Sequence, residues 1–341
     1  MTHVAAPDRS NRPGTPCDIR IVSLEELHCL WRDARVLLEW HCPFTLPPWL
    51  ASWWTTFGGK DELYLLLVED SKGVIGFVPL RKRGHAAFFV GSPDVCDYLD
   101  VVTARNREGD VSRALLKHLE KNGFRELVLT GIQENAVTWT HLVPMARKFG
   151  WDVTCEQEGV SFDIELPPTW EDFLYVLNGK QRHELRRKFR RLQEAGEVQF
   201  RMIDSEDSVV DELAVFLDLF KAGRGDKAAF MTPHMTRFFQ TLADALSEHH
   251  ILKIGLLEID QRPASAVMCF DHRSIRYLYN SGYAPHYPSL SVGLLCKALS
   301  IQDAIAKGIS HYDLLKGEEI YKQRLGGRPR PIFQCRIKPS G

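Results

Sequence analysis

Along the chain, short runs dense in apolar residues alternate with longer stretches in which apolar residues recur every three or four positions. The short runs predict strands and the longer stretches helices. In the first half, ELYLLLVED (62–70) predicts a strand, SKG (71–73) a tight turn, GVIGFVPLRKR (73–83) a second strand and HAAFFVG (85–91) a third. A helix follows at 109–122, a strand at 125–131, a helix at 135–150 and a strand at 151–157. In the second half, ILKIGLLEID (251–260), PASAVMCFDH (263–272) and SIRYLYNSGY (274–283) predict three strands, with DQR (260–262) as the first turn. The stretch 291–308 places Leu294, Leu295, Ala298, Leu299, Ile301, Ala304 and Ile305 on a broad helical stripe. HYDLLKG (311–317) is then a short strand, 318–325 a short helix and IFQCRIK (332–338) a last strand.

The two halves share one order: strand, strand, strand, helix, strand, helix, strand. A crossover helix followed by a short apolar strand implies parallel pairing within an otherwise antiparallel sheet. The fold class expected is α/β, with two tandem lobes, each a mixed, mostly antiparallel sheet flanked by helices. The lobes are expected over residues 18–165 and 166–341, after a disordered tail at 1–17. Between them, 169–196 is split by Asn178-Gly179 into two helices, and 180–191 carries seven Lys or Arg against one Glu. Leu185, Phe189 and Leu192 give that basic helix one docking side. A strand at 198–204 and a helix at 205–224 with an acidic first turn follow it. Trp49, Trp53, Trp54 and Phe57 space as a helix face and predict core.

Composition narrows the classes. Length alone suggests about two domains. A balance of 43 basic and 44 acidic residues argues against a nonspecific nucleic-acid binder. Eight cysteines without a CxxC pair predict neither a disulfide framework nor a zinc site, which points to a reducing cytoplasm. There is no apolar run of ~18 residues, so no transmembrane helix is expected. No HxH, HExxH, GxSxG, P-loop or dinucleotide fingerprint occurs, so no metal is expected and hydrolase, NTPase and Rossmann redox chemistry are set aside.

The ordered series PFTLPPWLASWWTTFGG (43–59), GVIGFVPL (73–80), DYLD (97–100), ELRRKFRRLQEAG (184–196), DKAAFM (226–231) and NSGYAP…SVGLL…AIAKGISHYDLLKGEEIYKQRLG resembles the FemAB-like, CelD/BcsL-like branch of the GNAT acyltransferases. The resemblance covers roughly residues 40–335. It implies transfer of an acyl group from acyl-CoA or acetyl-CoA to an amine or hydroxyl of a small-molecule, glycan or peptide acceptor held between the lobes. It also implies a donor pyrophosphate at the start of the crossover helix, on Ser291, Val292, Gly293 and Leu294, with Asn280 beside it. A backbone N–H near Asn280–Gly282 would serve the oxyanion. The family's phosphate loop carries an Arg or Gln and two glycines; here only Gly293 of these remains, with Pro288 and Ser291 at the other places.

Several roles stay open at this level. Lys322 matches the family's lysine after the strand and is expected as an exposed phosphate partner; otherwise it is a solvated helix residue. Tyr321 is a general acid or a packed ring, and Glu318 or Glu319 a general base or else a favourable helix-start charge. Asp313 is catalytic or a structural hydrogen-bonding group, and Tyr283 faces the donor or the core. Gly317 is expected to let the chain turn beside the site. The alternatives are an aminoacyltransferase using aminoacyl-tRNA, with the basic helix on RNA phosphates, and a non-catalytic binding module that keeps the fold. Apart from that tRNA, nucleic acid is disfavoured as a partner. The acceptor and the oligomeric state are left open.

Overall fold

The computed structural model describes residues 16–33, 37–204, 206–223 and 225–339. Most of the expected tail (1–15) lies outside what is described, as do residue 205 and the side chains of 206–208 in the acidic first turn expected there.

The first half comprises β1 (Asp18–Val22), α1 (Leu24–Arg32), α2 (Pro47–Phe57), β2 (Glu62–Asp70), β3 (Gly73–Arg83), β4 (Ala86–Phe89), β5 (Val102–Thr103), α3 (Glu108–Lys121), β6 (Glu126–Gln133), α4 (Val143–Lys148) and β7 (Asp152–Glu165). The junction holds α5 (Trp170–Val176) and α6 (Gly179–Gln193). The second half has β8 (Val198–Ile203), α7 (Glu206–Gly223), α8 (Gly225–Phe230), α9 (Pro233–Ser247), β9 (Leu252–Ile259), β10 (Arg262–His272), β11 (Ile275–Tyr283), α10 (Val292–Ala306), β12 (His311–Lys316), α11 (Ile320–Arg324) and β13 (Arg328–Lys338).

Both expected parallel pairings are present: β4 runs parallel to β6 and β11 parallel to β12. Every other ladder between named strands is antiparallel. All the strands join one sheet, ordered β1-β2-β3-β4-β6-β13-β7-β12-β11-β10-β9-β8, with β5 paired to β3. The centre of that order carries an exchange. β13, the last strand of the chain, lies between β6 and β7 of the first half, while β7 lies between β13 and β12. Each half therefore lends one strand to the other, and β7 and β13 pair from Asp152↔Lys338 to Asp163↔Arg328.

The two exchanged strands are longer than their apolar patterns suggest. Gly159 within β7, and Pro329 and Pro331 within β13, look like strand ends in sequence. In the fold β13 pairs with β6 only from Ile332 onward, so both prolines lie where one side of the strand asks for no ladder hydrogen bond.

Cys155 and Cys335 face each other in this central pair and form a disulfide, with Cα atoms 4.2 Å apart. This overturns the expectation of no disulfide, and the argument for a reducing compartment loses its premise. A separation of 180 residues hid the pair, because spacing cannot reveal which strands become neighbours.

The helix-face aromatics are core, as their spacing predicts. Trp49 is fully buried and makes edge contacts with Phe44, Phe238, Phe270 and Tyr279. Three of these partners come from α9, β10 and β11, so α2 joins the halves on one side of the sheet as the strand exchange joins them at its middle.

Candidate active site

The site begins where two parallel strands part. β11 and β12 pair only over Ile275–Tyr277 with His311–Asp313, although β11 continues to Tyr283 and β12 to Lys316. At the parting, β12 carries a bulge: Asp313 is opposite Asp163 and Leu315 opposite Phe162, leaving Leu314 extra, and Leu315 takes a φ of 59°. Bulges re-aim side chains and end pairing beside sites. Strand alternation turns Tyr312 and Leu314 to the core under α10 and Asp313 to the other face. After β12, Gly317 has a φ of 123°, and a Cβ there would sit 2.4 Å from the Glu319 carboxylate. Glycine is required at this turn.

Asp313 meets the first half of the chain through Tyr98, whose hydroxyl donates to its Oδ1 at 2.8 Å; the Leu315 N–H donates to the same oxygen at 2.7 Å. Asp313 is 8% exposed, and burial pushes its carboxyl up to about 7 against the pull of these donors. Asp97 is also pushed up to about 7 by burial, with the nearby Lys322 and Lys316 ammonium groups pulling it back down. Asp100 accepts from the N–H groups of Val137 and Thr138 and from the Thr138 hydroxyl, and so fixes the start of the helical segment that leads into α4. The Leu99 N–H donates to Gly131 O, which seats the segment against the end of β6. DYLD thus directs Asp97 towards the second half's lysines, the Tyr98 hydroxyl to Asp313, the Leu99 N–H to β6 and the Asp100 carboxylate to a helix start.

Around this junction lies a cleft of about 770 Å³ lined by both halves, including Tyr98 and Asp100 from one and Tyr277 and Asp313 from the other. That size suits a small organic ligand. Asp313, a carboxyl able to gain or lose a proton near neutrality on the wall of this cleft, has the protonation behaviour that general acid–base chemistry needs.

Residues 179–323 match the model of the acetyltransferase (GNAT) domain. Among solved structures, FemX is similar over 93% of this chain and 96% of its own, at 11% identity and a TM-score of 0.62. The C-terminal domain of a putative lysylphosphatidylglycerol synthetase from Agrobacterium fabrum is similar over 83% of this chain and 84% of its own (12% identity, TM-score 0.54). A tandem GNAT protein from the clavulanic acid biosynthesis pathway is similar over 96% and 100% (12% identity, TM-score 0.50). No curated protein matches the chain in sequence. The chain has a FemAB-like tandem GNAT fold.

Within this tandem GNAT fold the ten residues singled out in sequence divide into separate groups. Only Asp313 lines the cleft. Tyr283 and Gly293 meet at the start of α10, where a Cβ on Gly293 would lie 3.3 Å from the Tyr283 ring. Lys297, which sequence reasoning missed, donates to Gly293 O at 3.0 Å and lies 4.6 Å from the centre of the Tyr321 ring. Ser291 precedes α10 in a left-handed conformation, Val292 is buried, and Gly293 and Leu294 are partly buried in its first turn. Lys188 of the basic helix donates to the Ser291 hydroxyl. Asn280 is half-buried on β11 opposite Met268, and Glu318 is exposed with no ion pair among the described residues.

One expectation fails. Lys322 is not an exposed group reaching for a phosphate. It is 1% exposed, and its ammonium donates to Leu315 O at 2.9 Å and Lys316 O at 2.7 Å, with the Glu319 carboxylate at 3.1 Å. Carbonyls at the end of β12 take up this lysine, and one turn of α11 carries it inward. At Gly282 α7 packs so closely that a Cβ would meet the Phe220 nitrogen at 2.3 Å, which accounts for a glycine there. The groups missed in sequence are Asp97, Tyr98, Lys188 and Lys297. DYLD carried Asp97 and Tyr98, and the basic helix carried Lys188, as motifs whose individual members spacing alone does not assign to roles. Among the described residues no cluster of His, Cys, Asp or Glu has the arrangement of a metal site, and no helix is long and apolar enough to cross a membrane.

Proposed function

We propose that this protein is an acyl- or aminoacyltransferase whose acceptor enters the cleft between the halves and whose donor is an acyl-CoA held by the second half. The observation that carries the reading is Asp313: a buried carboxyl at the parting of β11 and β12, titrating near neutrality, on the wall of the cleft that both halves line. The parted strands leave β11 without a partner on its β12 side, where an extended thioester arm can run. The Val292 and Gly293 N–H groups opening α10, and Lys188 beside Ser291, suit a diphosphate at its near end. The acyl-CoA supplies an activated carbonyl. Attack by an amine needs chiefly positioning and proton removal. Asp313, steadied by Tyr98, takes the proton, and the Tyr321 hydroxyl is the candidate to protonate the departing thiolate.

A second reading keeps the site and changes the donor to an aminoacyl-tRNA. It is favoured by α6, where Lys180 and Arg191 form no ion pair among the described residues and remain available to phosphates. Titration calorimetry with acetyl-CoA and longer acyl-CoAs, followed by transfer assays with each donor that binds and with charged tRNA, separates the two. Binding of a CoA donor with transfer lost in Asp313→Asn is the expected result. Failure of every CoA and every charged tRNA to bind leaves only a non-catalytic module and overturns the proposal.

A further inference from the structure

The walls of the cleft carry six carboxylates, Glu39, Asp100, Glu108, Glu134, Asp163 and Asp313, against two guanidinium groups, Arg273 and Arg330. Its histidines, His41, His141 and His311, add no fixed charge. The local ion pairs do not balance this excess. Arg330 is engaged by Asp163 at 3.0 Å, and Asp100 is consumed at its helix start. Glu39 has His41 at 3.5 Å, and His41 in turn contacts Arg273 at 3.0 Å. Glu108 accepts one backbone N–H, from Asn106, and neither Glu108 nor Glu134 forms an ion pair among the described residues. At the inner end, both hydrogen bonds to Asp313 fall on Oδ1. Its Oδ2, on a side chain more than nine-tenths buried that lines the cleft, has no partner among the described residues.

Acid density of this kind on a chain whose net charge is only −1 is a local feature. A low-dielectric concavity lined by one sign of charge focuses its field and concentrates counter-ions. The same field repels phosphorylated or nucleotide-linked acceptors.

We infer that the acceptor is a small polycationic primary amine, with one ammonium group on Asp313 Oδ2 and a second facing Glu108 and Glu134. This deepens the transferase reading and rests on it for the chemical step, though not for the binding. In that step the acceptor ammonium gives one proton to Asp313 and becomes the nucleophile. Its nitrogen forms the new N–C bond, the bond from the carbonyl carbon to the donor's sulfur (or oxygen) breaks, and the second N–H proton leaves with the departing thiolate (or alkoxide). Three N–H bonds thus become the one of an amide. Two chemical sources fit equally, a linear polyamine and an aminocyclitol sugar bearing several primary amines, because both present spaced ammonium groups.

Calorimetric titration of the full-length protein, without donor, tests the inference. The probes are spermidine, a polyaminated aminocyclitol, the hydroxyl analogue 1,8-octanediol and UDP-N-acetylglucosamine. At least one polycation is expected to bind, more weakly as salt rises, while the diol and the nucleotide sugar do not. Whichever polycation binds identifies the source. Glu108→Gln and Glu134→Gln should each weaken binding about three- to tenfold, as loss of a charge-assisted contact does. Asp313→Asn should weaken it at least as much, with melting curves showing that the variant folds. Binding of the nucleotide sugar or the diol in preference to both polycations overturns the inference, as does polycation binding that Glu108→Gln, Glu134→Gln and Asp313→Asn all leave unchanged. Polycation binding without transfer from any donor sustains the inference and defeats the transferase reading instead.

Discussion

Replacing Lys322 by alanine separates the buried role found here from the exposed role its sequence neighbours suggest. The ammonium makes two hydrogen bonds to main-chain carbonyls, at 2.9 and 2.7 Å, and one ion pair at 3.1 Å, on a side chain with 1% of its surface exposed. Truncation leaves the Leu315 and Lys316 carbonyls without this donor, at about 1–3 kcal/mol for each buried group so stranded. It also strips the methylene stem from its packing, while the Glu319 carboxylate, half exposed, is resolvated at little cost. Burying an ammonium is itself unfavourable, as the downward shift of the Lys322 pKa records, and removing it returns part of that penalty. The net expectation is a loss of about 2–4 kcal/mol, or several degrees in Tm at roughly 2–4 °C per kcal/mol. Lys322→Arg should recover little, because the guanidinium cannot converge on two adjacent carbonyls in the same space. Urea and thermal melts followed by circular dichroism measure the loss, and transfer assays well below the melting point measure activity. An alanine variant that melts within a degree of the native protein while losing donor affinity refutes the reasoning and restores the lysine as an anion contact.

Tyr98→Phe keeps the ring and removes the donor that lowers the Asp313 pKa, so that pKa rises. At about 1.5–3 kcal/mol for a hydrogen bond to a charged group, the acid limb of the kcat/KM profile should move up by roughly one to two pH units, with little change at pH 9; an unmoved limb excludes Asp313 as the base. Asp97 and Asp313 sit at about 7 in the fold against roughly 3.9 in an unfolded chain, so the fold binds extra protons between these values. Their contribution is fully present below about pH 4 and is lost as pH rises to about 7; melts across that window should flatten in the double Asn variant. Cys335→Ser should lower stability by up to about 5 kcal/mol, the chain-entropy limit for so long a loop, and reductant should do the same to the native protein but not to the variant. Lys188→Gln should weaken a diphosphate-bearing donor about tenfold, less so at high salt, and leave the melting temperature nearly unchanged.

The alternation of strands and helical stripes determined the repeat, the crossover helices and both parallel pairings. These follow from periodicity and from a chirality rule that holds for any L-chain. Gly317 was legible for the same local reason, since its conformation excludes a side chain whatever surrounds it. What touches what across the halves was not local. The exchange of β7 and β13, and with it the Cys155–Cys335 bond, depends on which edges meet, and residues 180 positions apart carry no mark of that in their spacing. Lys322 shows the sharpest difference. An isolated lysine after a strand reads as solvated because a charge is costly to bury. Here the bulge and turn at the end of β12 leave two carbonyls facing inward, and one turn of α11 points the ammonium at them. Asp313 gained its near-neutral titration in the same way, from burial that exists only in the packed fold, held in check by the hydroxyl of a tyrosine 215 positions earlier. Local sequence determined the elements; burial and hydrogen bonding, which exist only once the elements are packed, decided which ionisable groups are fixed in place and which face the cleft.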